Sequence, residues 1–440
     1  MIRRRRLLQA SAGLLAAPAI VERAGAASAF DWKQCKGQKI EVNFQKSPRA
    51  DVLQRHQAEF EELTGIKVGF EQIPEQQQRP KVAVEMATGH PSFDVVNVAL
   101  HVQKRLIEKA GWMDDLRPYL ANPSLTAPDL DAGDFSAAGM QAATGPDGKL
   151  NVLPINQDVF ILFYNKQMLA EKKLGVPRTH DELMAAAEAL NDKSKGVAGF
   201  VGRGLKNANV VLYDNILLGW DQETTTPDGK TLLTDTPQAI AAGQFYQKIL
   251  ENFAPQGVVG FNWNECQTTF SQGRAALWWD AIGFSMPLID KAKSKVAETV
   301  GFAPPPAGPK GQWSATFLEG VGIPRGAKNP QAAWLYVQWA TGKTMMTEYL
   351  RSGAGTPART SPYKQADVLK NSPFPQEWFD TAVKCLGMAR SGLPVIVPVT
   401  EFRDTLGVAL TNIIGGADVA TELKKATGTF QPVLDKSNAG

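Results

Sequence analysis

Short apolar runs alternate along this chain with stretches of helical spacing. "KIEVNFQ" (39–45) reads as a strand. Ser47 then offers a helix N-cap with Pro48 at the first helical position. Leu53, Gln57, Phe60 and Leu63 follow at helical spacing, and Gly65 supplies the stop. "IKVGFEQI" (66–73) is a second strand, a helix occupies about 76–88, and "FDVVNVAL" (93–100) is a third strand. Strands separated by helices predict an α/β fold, with a parallel sheet and crossover helices.

One run breaks the pattern. "VLPINQDVFILFYNK" (152–166) looks like buried strand throughout, yet Asn156, Gln157 and Asp158 sit together inside it. A carboxylate in such a run is costly to bury unless it has partners. Beyond it the spacing turns helical, with Thr179 and Glu182 forming a capping box. Further helices are expected over 236–252 and 329–342, the second with Asn329 as its cap. The stretch 264–280 reads as helix, Gly273, strand, and the tail from Val399 as helices. Two α/β units therefore meet near residue 155, joined by an apolar strand and not by a Gly/Ser linker.

A chain of 440 residues can build two domains with sizeable cores. Its formal charge of +3 comes from the N-terminus. Residues 1–29 hold five of the 47 basic and one of the 44 acidic residues, which leaves 42 against 43. A near-neutral body argues against nucleic acid as a partner. "RRRRLLQASAGLLAAPAIV" followed by "ASA" (27–29) reads as a cleaved export signal over 1–29. Paired Arg before Leu7, Leu8 and Gln9 resembles a twin-arginine signal, with an Arg-rich general secretory signal as the alternative. The product is expected free in the bacterial periplasm. Cys35, Cys266 and Cys385 match no metal motif; two could pair, or all three stay isolated and buried.

Hydrolase, zinc-protease, phosphate-loop and dinucleotide signatures are missing. His56, on the first helix, and His180, at a cap, read as surface residues. No metal or cofactor is expected. What stands out is aromatic residues beside polar ones at strand ends: Trp220-Asp221, Trp278-Trp279-Asp280, and Phe317 near Glu319. Ligands of open α/β sheets sit outside the carboxyl ends of the strands. Rings suit the C–H faces of a sugar, and acids and amides suit its hydroxyls.

The ordered motifs resemble those of the family 1 extracellular solute-binding proteins of ABC importers, the group of maltose-binding protein. They are "AEFEELTGIKV" (58–68), "FDVVNVAL", "GKLNVLPINQDVFILFYNK" (148–166), "FSQGRAALWWD" (270–280), "GVGIPRGAKNPQAAWLYVQW" (320–339) and "GTPARTS" (355–361), and they span nearly the whole chain after the leader. The resemblance implies a two-lobed periplasmic-binding-protein fold of type II-like form, with a ligand cleft between lobes joined by crossing strands. Lobe 1 would comprise 30–156 plus about 320–370, and lobe 2 157–319 plus about 371–440. It implies no catalysis. A monomer would capture a sugar, oligosaccharide or polyol, close about a hinge, and deliver it to a membrane permease.

In the same way the resemblance makes Asp158 a ligand contact. It also points to Gln45, Ser47 and Arg49 after the first strand, His101 after the third, and Asn209 and Tyr213 in the second lobe. Trp279, Asp280, Glu319, Arg359, Phe402 and Arg403 complete the expected set. Cleft-facing Arg49, Arg359 and Arg403 would favour an anionic sugar derivative instead. Two other classes remain at this stage. One is a secreted enzyme using Asp158, Asp280 and Glu319 as acid and base; the other is a sensor domain.

Overall fold

The computed structural model describes residues 29–439. Apart from Ala29, the expected leader lies outside the described residues. Among the described residues nine strands form one mixed sheet: β1 (Lys39–Gln45), β2 (Lys67–Ile73), β3 (Val95–Ala99), β4 (Leu153–Asn165), β5 (Ala198–Val201), β6 (Ala275–Ala281), β7 (Val300–Ala303), β8 (Ser314–Gly322) and β9 (Ala389–Ser391). The order is β2-β1-β3-β8-β4-β6-β5, with β7 against β4 and β9 against β8. β1 pairs in parallel with β2 and β3, as strand–helix–strand order predicts, whereas β8 returns antiparallel to β3 and β4.

The long apolar run is β4, and its thirteen residues change partners halfway. Leu153–Val159 pairs with β8, and Phe160–Tyr164 pairs with β6. The core divides at the same place. Ile40, Val95, Leu153, Ile155, Val321 and Trp334 belong to one cluster. Beyond Asp158, alternate residues of β4 enter two others. Phe160, Leu162 and Tyr164 join Tyr213 and Phe402, whereas Val159, Ile161 and Phe163 join Trp278 and Trp378. Side chains of a strand alternate between faces, so this half of β4 is covered on both sides and its sequence is apolar without interruption.

Local chemistry differs from expectation at several points. The first helix is two, Pro48–Arg55 and Gln57–Thr64, broken at His56. Thr179 caps its helix through Glu182 N, but the Glu182 carboxylate takes the Arg178 amide, so the box is half made. Asn329 does not cap with its side chain, which instead donates to the Lys39 carbonyl. All three cysteines are buried and unpaired.

His180 is not a surface residue. Its ring stacks on Phe245 at 4.6 Å, close to Trp220 and Trp279, and neither nitrogen has a hydrogen-bond partner. Burial pulls its pKa down to about 4. The unfolded chain therefore takes up a proton near pH 6.5 that the folded chain refuses until about pH 4. Stability falls as pH drops through that window, by about 3 kcal/mol for this group alone. His180→Phe is expected to flatten the acid limb of denaturation midpoint against pH between 6.5 and 4. An unchanged slope contradicts this reading.

Candidate functional site

The ladder between β4 and β8 builds the site. Asn156 lies opposite Glu319 and Asp158 opposite Phe317. With a side-chain period of two, Asn156, Asp158 and Phe160 share one face with Phe317 and Glu319. This explains the polar interruption: Asp158 stands where β4 leaves one core and has not yet entered the next.

Each carboxylate on this face is held from a different side. Asp158 Oδ1 accepts the Gly283 amide at 2.9 Å. Gly283 follows β6, and a Cβ there would lie 2.7 Å from Asp158 Oδ2, so only glycine lets the backbone come this close. Glu319 Oε1 accepts Arg49 at 2.7 Å. Arg49 stands at the start of the Pro48–Arg55 helix, which Ser47 caps through Ala50 N, and its chain packs on Gly355. His101 sets its ring edge-on to Phe317 and places Nδ1 3.2 Å from the Leu318 carbonyl oxygen. From the other side, Arg203 grips buried Asp280 (Nε to Oδ2, 2.8 Å), with its guanidinium over Phe160 and Phe284. Phe284 in turn stacks on Trp263.

Burial raises the Asp158 carboxyl to about 6, against the pull of the Gly283 amide and Arg49. The folded chain thus holds a proton here between pH 3.8 and 6 that the unfolded chain has lost. The associated stability is full below 3.8 and disappears as pH rises through 6. Burial also raises Glu319, but Arg49, His101 and Arg79 outweigh it and keep the carboxyl below its ordinary value. His101 is lowered to about 4, by burial first and by Arg79 next. At neutral pH the face therefore offers two carboxylates, a neutral imidazole and two paired arginines, with Arg203 against the rings of Phe160 and Phe284.

The other expected residues have these surroundings. Gln45 ends β1 in a buried position, its Nε2 without a partner. Arg403 donates to the Asn207 carbonyl, and its charge reaches His101. Asn209 is core: its amide donates to Gly407 O at 2.9 Å. Tyr213 is fully buried and donates to Ala239 O. Trp279 packs inside the second half of the sheet and donates to Asn215. Phe402 packs on Phe430 in the same core. Arg359 is a structural cation, buried over Phe135 and donating to the carbonyls of Leu130, Asp131 and Thr341 and to Asp134. Asp280 is at the site, but Arg203 and the Ala281 amide occupy its carboxylate. Arg203, Phe160 and Gly283 were not singled out from the sequence. Arg203 lies just past the carboxyl end of β5, and that position was the available signal.

An open cavity of about 460 Å³ lies apart from this group, lined by Arg105, Lys109, Arg325 and the last turn of the Val419–Ala439 helix. It has charged walls and no converging buried polar groups, so the β4/β8 face is the better candidate. Among the described residues no cluster of His, Cys, Asp or Glu could hold a metal ion.

Residues 26–347 match the family model described as bacterial extracellular solute-binding protein. The chain belongs to that family. It is thus a binding protein, not an enzyme, and its fold is the two-lobed one of its structural neighbours. One relative is an erythritol/L-threitol-binding protein of Mycolicibacterium smegmatis, 25% identical over 91% of this chain and 87% of its own. Another, from Sinorhizobium fredii, is a probable amino-acid ABC transporter periplasmic-binding protein, 25% identical over 78% of this chain and 77% of its own. A solute-binding protein of Agrobacterium radiobacter, solved with ribitol, superposes with a TM-score of 0.79 at 23% identity, covering 90% of this chain and 99% of its own.

Arg49 holds down the pKa values of both carboxyls on this face. Arg49→Met is expected to raise both the Glu319 and the Asp158 pKa in a carboxyl 13C NMR titration. Unchanged titration of both contradicts the arrangement.

Proposed function

We propose that this chain captures a neutral polyhydroxylated solute, a polyol or a sugar, and delivers it to the permease of an ABC importer. The observation that carries the reading is the shared face of β4 and β8, where Asp158 and Glu319 lie beside the ring of Phe317, itself packed on Phe160. The rings suit the C–H surface of such a solute, and the carboxylates accept its hydroxyls. The erythritol, L-threitol and ribitol of the relatives have this chemistry. An anionic derivative is disfavoured, because Arg49 and Arg203 are paired with Glu319 and Asp280, and Arg359 is buried in the fold.

The lobes on this reading are 30–156 plus about 320–370 and 157–319 plus about 371–440. They close about β4, near Val159–Phe160, where its partners change. A solute held between the lobes shifts the open–closed equilibrium towards closed. Residues 1–29 act as the export leader, and the mature monomer works in the periplasm.

A thermal-shift screen of residues 30–440 against polyols, sugars, sugar phosphates and amino acids tests this. A ligand at a hundred times its dissociation constant adds about 2.7 kcal/mol of stability. The expected hit is a neutral polyol or sugar, lost in Asp158→Ala and weakened in Gly283→Ala, whose new methyl displaces the carboxylate. A response confined to amino acids or anions, or one that Asp158→Ala leaves intact, contradicts the proposal.

A further inference from the structure

Strand β6 ends at Ala281, and Gly283 just beyond it gives its amide to Asp158 at 2.9 Å. The next residue, Phe284, therefore stands at the edge of the β4/β8 face. Trp263 stacks on it, with ring centroids 4.8 Å apart and planes 7° from parallel. Phe284 stacks in turn on the core residue Trp278 at 6.0 Å, and the Arg203 guanidinium sits over it. Trp263 opens the helix Trp263–Ser271, which packs on β6 and leads into it. Gln267, one turn further on, donates to the Phe284 carbonyl. The start of this helix is thus fixed at the carboxyl end of β6, the end where open α/β sheets take their ligands.

Trp is highly buried on average, and Trp278, Trp279, Trp334 and Trp378 of this chain follow the rule. Trp263 is 39% exposed. Stacking on Phe284 accounts for one face of its indole and leaves the other. The helix does not need an indole here, because Asn262 and Glu265 complete the capping box themselves. Leu205 and Val259 are exposed as well. The backbone ties all three together: the Gly204 and Leu205 amides donate to the Phe261 carbonyl, and a Cβ at Gly204 would lie 3.1 Å from Val259 Cα. Leu205 is two residues past Arg203, which grips Asp280. An apolar rim therefore continues from the charged face, and a contiguous exposed apolar patch marks a contact surface.

We propose that the outward face of Trp263 is a second subsite of the cleft that seats a sugar ring, so that the solute is a saccharide of two or more rings. This rests on the polyol or sugar reading and chooses within it. The first unit lies against Phe317 with its hydroxyls on Asp158 and Glu319, and the next reaches the indole past Gly283 and Phe284. A sugar ring offers a flat C–H face, which an indole covers by burial of apolar area and by attraction to its π surface. An acyclic polyol of four or five carbons has no second ring to place there.

The test is calorimetric titration of wild type, Trp263→Ala and Trp263→Phe with erythritol, ribitol, maltose, cellobiose and maltotriose. The tightest of these for wild type is expected to be a saccharide of two or three rings. Trp263→Ala should weaken it about tenfold and Trp263→Phe, which keeps a flat ring, less than about threefold. Any binding of ribitol or erythritol should stay within about threefold in both variants. A second readout is the indole N–H resonance of Trp263, assigned by its loss in Trp263→Phe: the saccharide should shift it in wild type and ribitol should not. This readout needs no variant to fold as well as wild type. Saccharide affinity unchanged in Trp263→Ala overturns the inference, and so does an equal loss for ribitol, which would make Trp263 a support for Phe284. Binding of acyclic polyols alone overturns it while leaving the polyol or sugar reading intact. If wild type binds none of the five, both fall together.

Discussion

The candidate site hangs on one ladder, Leu153–Val159 of β4 against Thr316–Val321 of β8. Its register puts Asn156 beside Glu319 and Asp158 beside Phe317, and a slip of one residue would turn every one of these side chains to the other face. The same ladder is the mechanical link between the two halves of the sheet. β4 continues past it into pairing with β6 and β7, where it is apolar and covered on both faces. The candidate site and the crossing between the halves are thus made by the same residues.

Charge around this ladder is arranged so that little of it is left unpaired. Arg49 meets Glu319, Arg203 meets Asp280, and the Gly283 amide meets Asp158. Such pairs are worth little to stability when set against apolar residues of similar volume, and they are costly to break. Their value here is geometric: Arg49 draws the Pro48–Arg55 helix to β8, and Arg203 holds β5 to the end of β6. Acceptor oxygens are thereby fixed in advance at defined positions, which reduces what a flexible solute would have to organise on binding. Asp158 is the exception in strength, since burial lifts it to about 6 and leaves it with a single backbone donor.

Much of the fold was legible in the residues. The strand expected over 39–45 is β1 to the residue, and β4 fills nearly all of 152–166, because both depend on short-range patterns of apolar spacing. Asp158 was legible for the same reason, as a charge that its own strand cannot satisfy. Contacts far apart in sequence were not. Arg203 and Asp280 are 77 residues apart, and nothing local marks them as partners. Arg359 sits in a recognisable motif, yet the motif serves the fold: three carbonyls and Asp134 take its guanidinium. His180 read as a cap neighbour is instead an apolar ring in all but name.

The most direct test of the account is a crystal structure of residues 30–440 with the polyol or sugar that stabilises the protein most. The account predicts the solute against the ring of Phe317, with hydroxyl oxygens in hydrogen-bond contact with Asp158 and Glu319. A solute bound instead in the charged cavity beside Arg105 and Lys109, with the β4/β8 face empty, would contradict it.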